Sequence, residues 1–219
     1  MNSAVVVFPG SNCDKDIAYI LKEYYNHSVD FIWHKNSIDR NYDLIVIPGG
    51  FSYGDYLRSG AIAKFSNAMK SLKSHIDKGA RILGICNGFQ ILTEAGLLPG
   101  TLMRNKNLKH ICKNIYLKKG SPHNQLTRNL LEDSILEIPI SHSEGNYFAD
   151  SDTIKHLEDT NCILYKYAID NPNGSVEDIA GITSPDFKIA GLMPHPERAI
   201  EEWAPSMDGK KFFENFFQF

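Results

Sequence analysis

The stretch RILGICNGFQILTEAG, residues 81–96, decides the reading of this chain. Arg81 to Ile85 is a short continuous apolar run, the pattern of a strand buried on both faces. Asn87 to Gly96 carries apolar residues at helical spacing and ends on a glycine, a good helix stop. Between the two sits Cys86, with Gly84 and Gly88 on either side. A nucleophile projected from a strand-to-helix corner needs small neighbours, because strand and helix must pack closely to make the turn. The helix N-terminus adds unpaired N–H groups and partial positive charge, a field that favours thiolate over thiol. The N–H of Asn87 would point at an oxyanion forming on an attacked carbonyl. The same residues also describe a buried cysteine beside two packing glycines, and the stretch alone does not choose.

Working outward, short apolar runs alternate with amphipathic stretches. AVVVF (4–8), VDFIW (29–33) and DLIVI (43–47) read as strands, and DKDIAYILKEYY (14–25) and SNAMKSLKSHIDKG (66–79) as helices. This alternation predicts an α/β fold: a doubly wound, mostly parallel sheet with helices on both faces. After about residue 105 strand-like runs dominate: 110–118, 135–140, 162–169, 178–183 and 188–193, with helices expected only at 151–158 and 207–218. Part of this half is expected to be antiparallel or edge structure. No linker, repeat or low-complexity segment interrupts the chain, so residues 1–219 read as a single domain. Four of the five phenylalanines of the tail DGKKFFENFFQF, at 212, 213, 216 and 217, fall on helical spacing and suit a core-facing helix better than a partner-binding face.

Bulk properties narrow the class. A chain of 219 residues with 42% apolar and 22% charged residues builds a full-sized core. A net charge of −3 gives no electrostatic reason to expect nucleic acid or an anionic membrane as partner. The N-terminus lacks a basic region ahead of an apolar run, and no apolar run approaches the ~18 residues of a membrane span, so a cytoplasmic protein is expected. None of the four cysteines stands in a C-x-x-C pair, so free thiols and no metal site are expected.

A nucleophilic cysteine needs a group to manage its proton. Of eight histidines, His195 stands out in GLMPHPERA, 191–199. Pro194 and Pro196 hold the segment extended, where residues two apart project to one side, so Glu197 can orient the His195 ring. The segment directly follows a strand, and catalytic groups of open α/β sheets gather at strand carboxyl ends. Read alone, His195 is a loop histidine in a proline-rich turn; beside the Cys86 corner it completes a Cys-His-carboxylate set. VIPGGFSYGDYLRSGAIA, 46–63, also follows a strand, and the Gly49-Gly50-Phe51 backbone is a candidate second oxyanion donor. It is not a phosphate-binding loop, since G-x-x-x-x-G-K-[ST] occurs nowhere in the chain.

P-G-G after a strand, G-I-C-N-G-F-Q at the corner and H-P-E near the end resemble the triad glutamine amidotransferases. VVVFPGSNCDKD, PGGFSYGDYLRSGAIAKFS, GICNGFQILTEAGLLPG, SHSEGNYFAD, NPNGSVEDIAGI and MPHPERA extend the likeness over nearly the whole chain. They resemble the family of glutaminase subunits of phosphoribosylformylglycinamidine synthase. The resemblance implies a flavodoxin-like sheet and glutamine-dependent amidation in purine biosynthesis. It implies Cys86 as nucleophile, His195 as general base and acid and Glu197 as orienting group. The oxyanion donors would be Gly50, Phe51 and Asn87. The glutamine pocket would be shaped by Gly49, Gly50, Gln90 and the His142-Ser143-Glu144-Gly145 loop. Ser143 departs from the family's H-G-E-G pattern. The resemblance further implies two protein partners: a large synthetase subunit, which binds ATP, and a small bridging subunit. This chain has no recognisable ATP site, so ATP and magnesium would serve the partner and no cofactor is expected here. Two alternatives are a stand-alone cysteine hydrolase (a peptidase or γ-glutamyl hydrolase), unaffected by any partner, and a non-catalytic interaction subunit, which would not require the Cys-His-Glu set.

Overall fold

The computed structural model describes residues 1–218. Its centre is a nine-stranded sheet in the order β2-β1-β3-β4-β11-β10-β9-β6-β7. The first five strands are β2 (Ser28–Trp33), β1 (Asn2–Val7), β3 (Leu44–Ile47), β4 (Arg81–Ile85) and β11 (Ile189–Leu192), each parallel to its neighbour. Parallel neighbours need crossovers, and the helices α1 (Asp14–Glu23), α2 (Asn67–Asp77) and α3 (Asn87–Glu94) supply cover on the sheet. Every residue of β3 and β11 is buried, which is why both read as unbroken apolar runs.

The remaining strands are β10 (Ile179–Thr183), β9 (Ile163–Tyr167), β6 (Ile111–Lys119) and β7 (Ile135–His142), joined by antiparallel pairings. Following the pairings across the sheet, only β10 and β6 run against the other strands. The sheet is thus mostly parallel in direction, and the carboxyl end of β7 lies at the same end as those of β4 and β11. β7 alternates buried and half-buried residues, as a one-sided antiparallel strand does.

This second half curls back on the first. A flat sheet would hold β11 and β7 roughly 19 Å apart across four strand spacings. Instead the N–H of His195, three residues past β11, donates to the carbonyl of Pro139 in β7 at 2.8 Å. A two-stranded ribbon, β5 (Thr101–Met103) with β8 (Asn146–Phe148), ties the chain after α3 to the chain after β7. Its three-residue strands are too short to show alternation, so no periodicity in the sequence marks them.

Helix α4 (Ser151–Asp159) is capped by the Asp150 carboxylate, which accepts from the N–H of Thr153 at 2.8 Å. Helix α5 (Gly209–Phe217) buries Phe212, Phe213 and Phe216, each worth about 1.5–3 kcal/mol in burial. The core-facing reading of the tail holds. Gly209 starts this helix because a Cβ there would come within 2.0 Å of the Pro196 carbonyl oxygen. The tail helix therefore braces the turn that carries Glu197.

Candidate active site

Cys86 lies between the end of β4 and the start of α3, with φ 50° and ψ −106°. A non-glycine residue in this region is strained, and the surrounding packing has to hold it there. The neighbours show how. A Cβ on Gly84 would fall 2.8 Å from the Gly88 carbonyl, and one on Gly88 would fall 1.9 Å from the Ile47 carbonyl oxygen. The two glycines thus let α3 pack directly on β3 and β4. The Cys86 N–H donates to the Leu192 carbonyl at 2.8 Å, tying the corner to β11.

His195 and Glu197 arrive from the carboxyl end of β11, on and beside a single 3-10 turn, Pro196–Arg198. Both are 3% exposed. His195 Nδ1 is 2.7 Å from Glu197 Oε1, and Nε2 makes no hydrogen bond of good geometry, which leaves it for the cysteine side. Burial by itself would push the His195 ring down. The Glu197 carboxylate and the Cys86 sulfur, with Cys13 beside them, outweigh burial and hold its pKa well above the ordinary 6.5. Gly49 lies against this ring: a Cβ there would sit 2.7 Å from His195 Cε1 and 3.1 Å from Cys13 Sγ.

The expected oxyanion donors divide. Asn87 opens α3, where the first N–H groups lack intrahelical partners. Gly50, at φ 150°, has a backbone that residues with side chains rarely adopt, and an added Cβ would meet the Gly10 carbonyl oxygen at 2.5 Å. Phe51 corrects the sequence expectation. Its N–H donates to the Gly10 carbonyl at 2.8 Å, so this donor is already engaged, because the 49–51 segment pairs with the 10–11 turn.

Of the residues expected to shape the glutamine pocket, Gln90 and the 142–145 loop are joined by hydrogen bonds, while Gly49 and Gly50 pair with the 11–13 segment instead. Gln90 donates to the Glu144 carbonyl and accepts from Asn87 Nδ2 at 2.8 Å. The Glu144 carboxylate accepts from the Ser59 N–H at 3.2 Å. Fully buried Asn105 clamps the loop, accepting from the Gly145 N–H at 3.0 Å and donating to the His142 carbonyl at 2.9 Å. His142 Nδ1 lies 3.0 Å from Asn105 Oδ1. Burial, and then the nearness of His195 and His110, pushes the His142 ring down to about 3. Gly145 is obligatory here, since a Cβ would sit 2.2 Å from the His142 ring. Ser143 is absorbed without positive φ, its hydroxyl 3.1 Å from His110 Nδ1.

Sequence reasoning missed Cys13, Asn105, His110 and Arg198. Cys13 stands at the start of α1, yet its thiol lies against His195, a tertiary contact that no local pattern announces. Cys13, His195 and Glu197 offer ligand-type atoms within 4.8 Å of one another. The His195–Glu197 hydrogen bond already uses the facing nitrogen and oxygen, so the group reads as a catalytic pair with a thiol neighbour rather than an open metal cradle. Beside Cys86 lies a cavity of only about 60 Å³, whose lining includes two expected site residues, Gly50 and Phe51, with Cys13, Ser141, His195 and Arg198. Among the described residues, no helix is long and apolar enough to cross a membrane.

A cysteine on a strained strand-to-helix corner, with a His-Glu pair from a neighbouring strand end, is the layout of a cysteine-nucleophile amidohydrolase. The sequence matches the family described as the CobB/CobQ-like glutamine amidotransferase domain over residues 1–217, and the chain belongs to that family. Its relatives include the proteins called phosphoribosylformylglycinamidine synthase subunit PurQ from two serovars of Leptospira interrogans, copenhageni and Lai. Each is 58% identical over 210 residues, covering 96% of either chain. Among solved structures, a chain of PurLQS from Thermotoga maritima is 40% identical, with TM-score 0.86 over 99% of this chain and 97% of that one. A glutamine amidotransferase from Thermotoga maritima shares the fold at 17% identity and TM-score 0.61, over 100% of this chain and 81% of that one.

Proposed function

We propose that this chain is the glutaminase of a phosphoribosylformylglycinamidine synthase, making ammonia for a partner that consumes it. The observation that carries this reading is His195 held between the Glu197 carboxylate and the Cys86 sulfur, all buried at one end of the sheet. The Cys86 thiolate attacks the side-chain amide carbon of glutamine. The N–H groups of Asn87 and Gly50 hold the tetrahedral oxyanion, each donor of this kind being worth about 2.7–4 kcal/mol. His195 gives its proton to the departing nitrogen, ammonia leaves, and a glutamyl thioester remains. Water, deprotonated by His195, attacks the thioester and releases glutamate and the thiolate. Glu197 fixes the ring tautomer and stabilises the imidazolium. Gly49, Gly50, Gln90 and the His142–Gly145 loop form the glutamine pocket. The cavity beside Cys86 is lined by Gly50 but not by Gln90 or residues 142–145, and at about 60 Å³ it is far below the ~300–1,000 Å³ of ordinary ligand sites, so on this reading the space between Cys86 and that loop opens for glutamine to enter.

Residues 1–219 act as one glutamine amidotransferase domain. ATP and magnesium work on the partner synthetase subunit, where formylglycinamide ribonucleotide is activated and becomes formylglycinamidine ribonucleotide. A small bridging subunit completes the complex, and the complex works in the cytoplasm with its nucleotide substrate. The names of the relatives above and the completeness of the Cys-His-Glu set support this assignment.

The test is glutamate release from glutamine, by the chain alone and with both partner subunits, ATP and formylglycinamide ribonucleotide. Release is expected to be weak alone, to rise at least tenfold in the mixture and to vanish in Cys86→Ala. Equal release in both tubes would remove the coupled reading, and turnover by Cys86→Ala would remove the catalytic one.

A further inference from the structure

One histidine holds the end of β7 from its outer face. Ile111, the first residue of β6, pairs with His142, so His110 falls on the same face of this pair as Ser141 and Ser143, opposite the buried His142. Its ring spans the two serines: Nε2 lies 3.1 Å from the Ser141 hydroxyl, and Nδ1 lies 3.1 Å from the Ser143 hydroxyl. A neutral imidazole donates at one nitrogen and accepts at the other, so this bridge gives both hydroxyls a direction. Ser141 is also the residue of β7 that meets the nucleophile. It lines the cavity beside Cys86, and its carbonyl is 3.6 Å from Cys86 Sγ.

That cavity is half open to solvent, and its volume of about 60 Å³ is several times the ~10–15 Å³ that one water needs. His195 lines it too, with Nε2 free of any hydrogen bond of good geometry to the protein. A water that attacks a carbonyl gives one proton to its base and needs an acceptor for the other, so that a lone pair faces the carbon. Few side chains around this cavity can accept. Arg198 only donates and Phe51 is apolar. Asn12 Oδ1 already accepts from the Cys13 thiol at 3.3 Å. The Ser141 hydroxyl remains.

Resting on the glutaminase reading, we propose that Ser141 is a catalytic residue of thioester hydrolysis: its hydroxyl, oriented by His110, holds the water that frees glutamate from Cys86. The Ser141 proton is directed to His110 Nε2, and a Ser141 lone pair takes one hydrogen of the water. The other hydrogen passes to His195 Nε2 as the water oxygen bonds to the thioester carbon. The carbon–sulfur bond then breaks, and its electron pair returns to Cys86 as thiolate. The hydrogen held by Ser141 stays on the new carboxyl group and is lost to solvent. His110 touches no reacting atom and is a positioning residue. Ser143 holds only the far side of the ring and is exposed, so solvent replaces it there.

The test uses the full chain with both partner subunits and follows the glutamyl thioester on Cys86 by acid quench and intact-protein mass. Ser141→Ala is expected to slow discharge of the thioester about three- to tenfold, the scale of one neutral hydrogen bond. Its kcat/KM for glutamine, which ends at ammonia release, stays within about twofold of the parent, a split that general loosening of the site does not produce. Ser141→Thr keeps the hydroxyl and discharges within about twofold of the parent, and His110→Phe is slowed about threefold. Hydroxylamine, a stronger nucleophile than water, discharges the parent and Ser141→Ala equally. Discharge by water at the parent rate in Ser141→Ala overturns the proposal. Equal slowing of thioester formation and discharge overturns it too, by marking a damaged site. Failure of the glutaminase reading looks different: the parent itself would carry no thioester, and the proposal falls with it.

Discussion

The two halves of the sheet solve different problems. The parallel half, β2-β1-β3-β4-β11, places Cys86, His195 and Gly50 within a few residues of strand ends. Each is positioned by the strand that carries it, and hydrogen bonds along the strands keep the separations fixed. The antiparallel half, β10-β9-β6-β7, carries no part of the proposed triad. It brings the 141–145 loop to Cys86 by curling, and that loop is kept in place by side chains, chiefly Asn105 and His110. The proposed nucleophile and base sit on a rigid frame, while the loop proposed to bind glutamine hangs on a few replaceable contacts.

That contrast predicts a ranking of damage. Within the parallel half, Glu197→Gln leaves the packing in place but removes the charge that holds His195 protonated and oriented. Glutamine-dependent turnover is expected to fall about 10²–10⁴-fold, mostly in kcat, as measured by steady-state glutamate release. A fall below tenfold would show that His195 does not depend on Glu197. In the antiparallel half, Asn105→Ala frees the loop and leaves buried groups of His142 and Gly145 unpaired. The expected loss is about 1–3 kcal/mol of stability in denaturant unfolding. KM for glutamine rises roughly tenfold with kcat nearly unchanged, the signature of lost ground-state binding. A change confined to kcat would instead tie the loop to the triad.

The two buried histidines sharpen the comparison through pH. His142 is pushed down to about 3, so the unfolded chain binds a proton that the folded one refuses. Its contribution to stability is present above about pH 6.5 and is lost as pH falls toward 3. His195 is raised, so its contribution is present below about pH 6.5 and is lost as pH climbs through its folded value. Replacing His142 with Asn should therefore flatten the loss of stability between about pH 6.5 and 4, read as the unfolding midpoint in urea. An unchanged acid slope would mean that other groups, His27 among them at about 4, dominate. The smallest effect is expected of Ser143→Gly, which deletes only the exposed contact to His110. Stability should move by no more than about 0.5 kcal/mol, and KM by less than about twofold.

What the sequence disclosed follows the same division. The corner at Gly84-Ile85-Cys86-Asn87-Gly88 and the His195–Glu197 spacing were legible because short-range geometry dictates them: a tight turn needs glycines, and an extended segment pairs alternate residues. Most strands were legible for the same reason. Illegible were the features made by distant contacts. That Phe51 spends its N–H on Gly10 depends on the pairing of two turns. That Cys13 reaches His195 depends on β1 and β3 being neighbours. That Pro139 meets His195 depends on the curl of the whole sheet. Ser143 looked awkward against the family pattern, but an exposed histidine from another segment accommodates it.

The position of β11 has a consequence for how the protein comes into being. Among the described residues it is the last strand in chain order, yet it sits in the middle of the sheet, between β4 and β10. Until residue 192 has left the ribosome, the edge of β4 stands unpaired beside the cysteine corner, and only the short β5–β8 ribbon and side-chain contacts such as Gln90 to Glu144 are there to join the two halves. The nascent chain carries an open strand edge of the kind that invites wrong partners. It also carries the proposed nucleophile without its proposed base. The seating of one four-residue strand at once closes that edge and brings His195 beside Cys86.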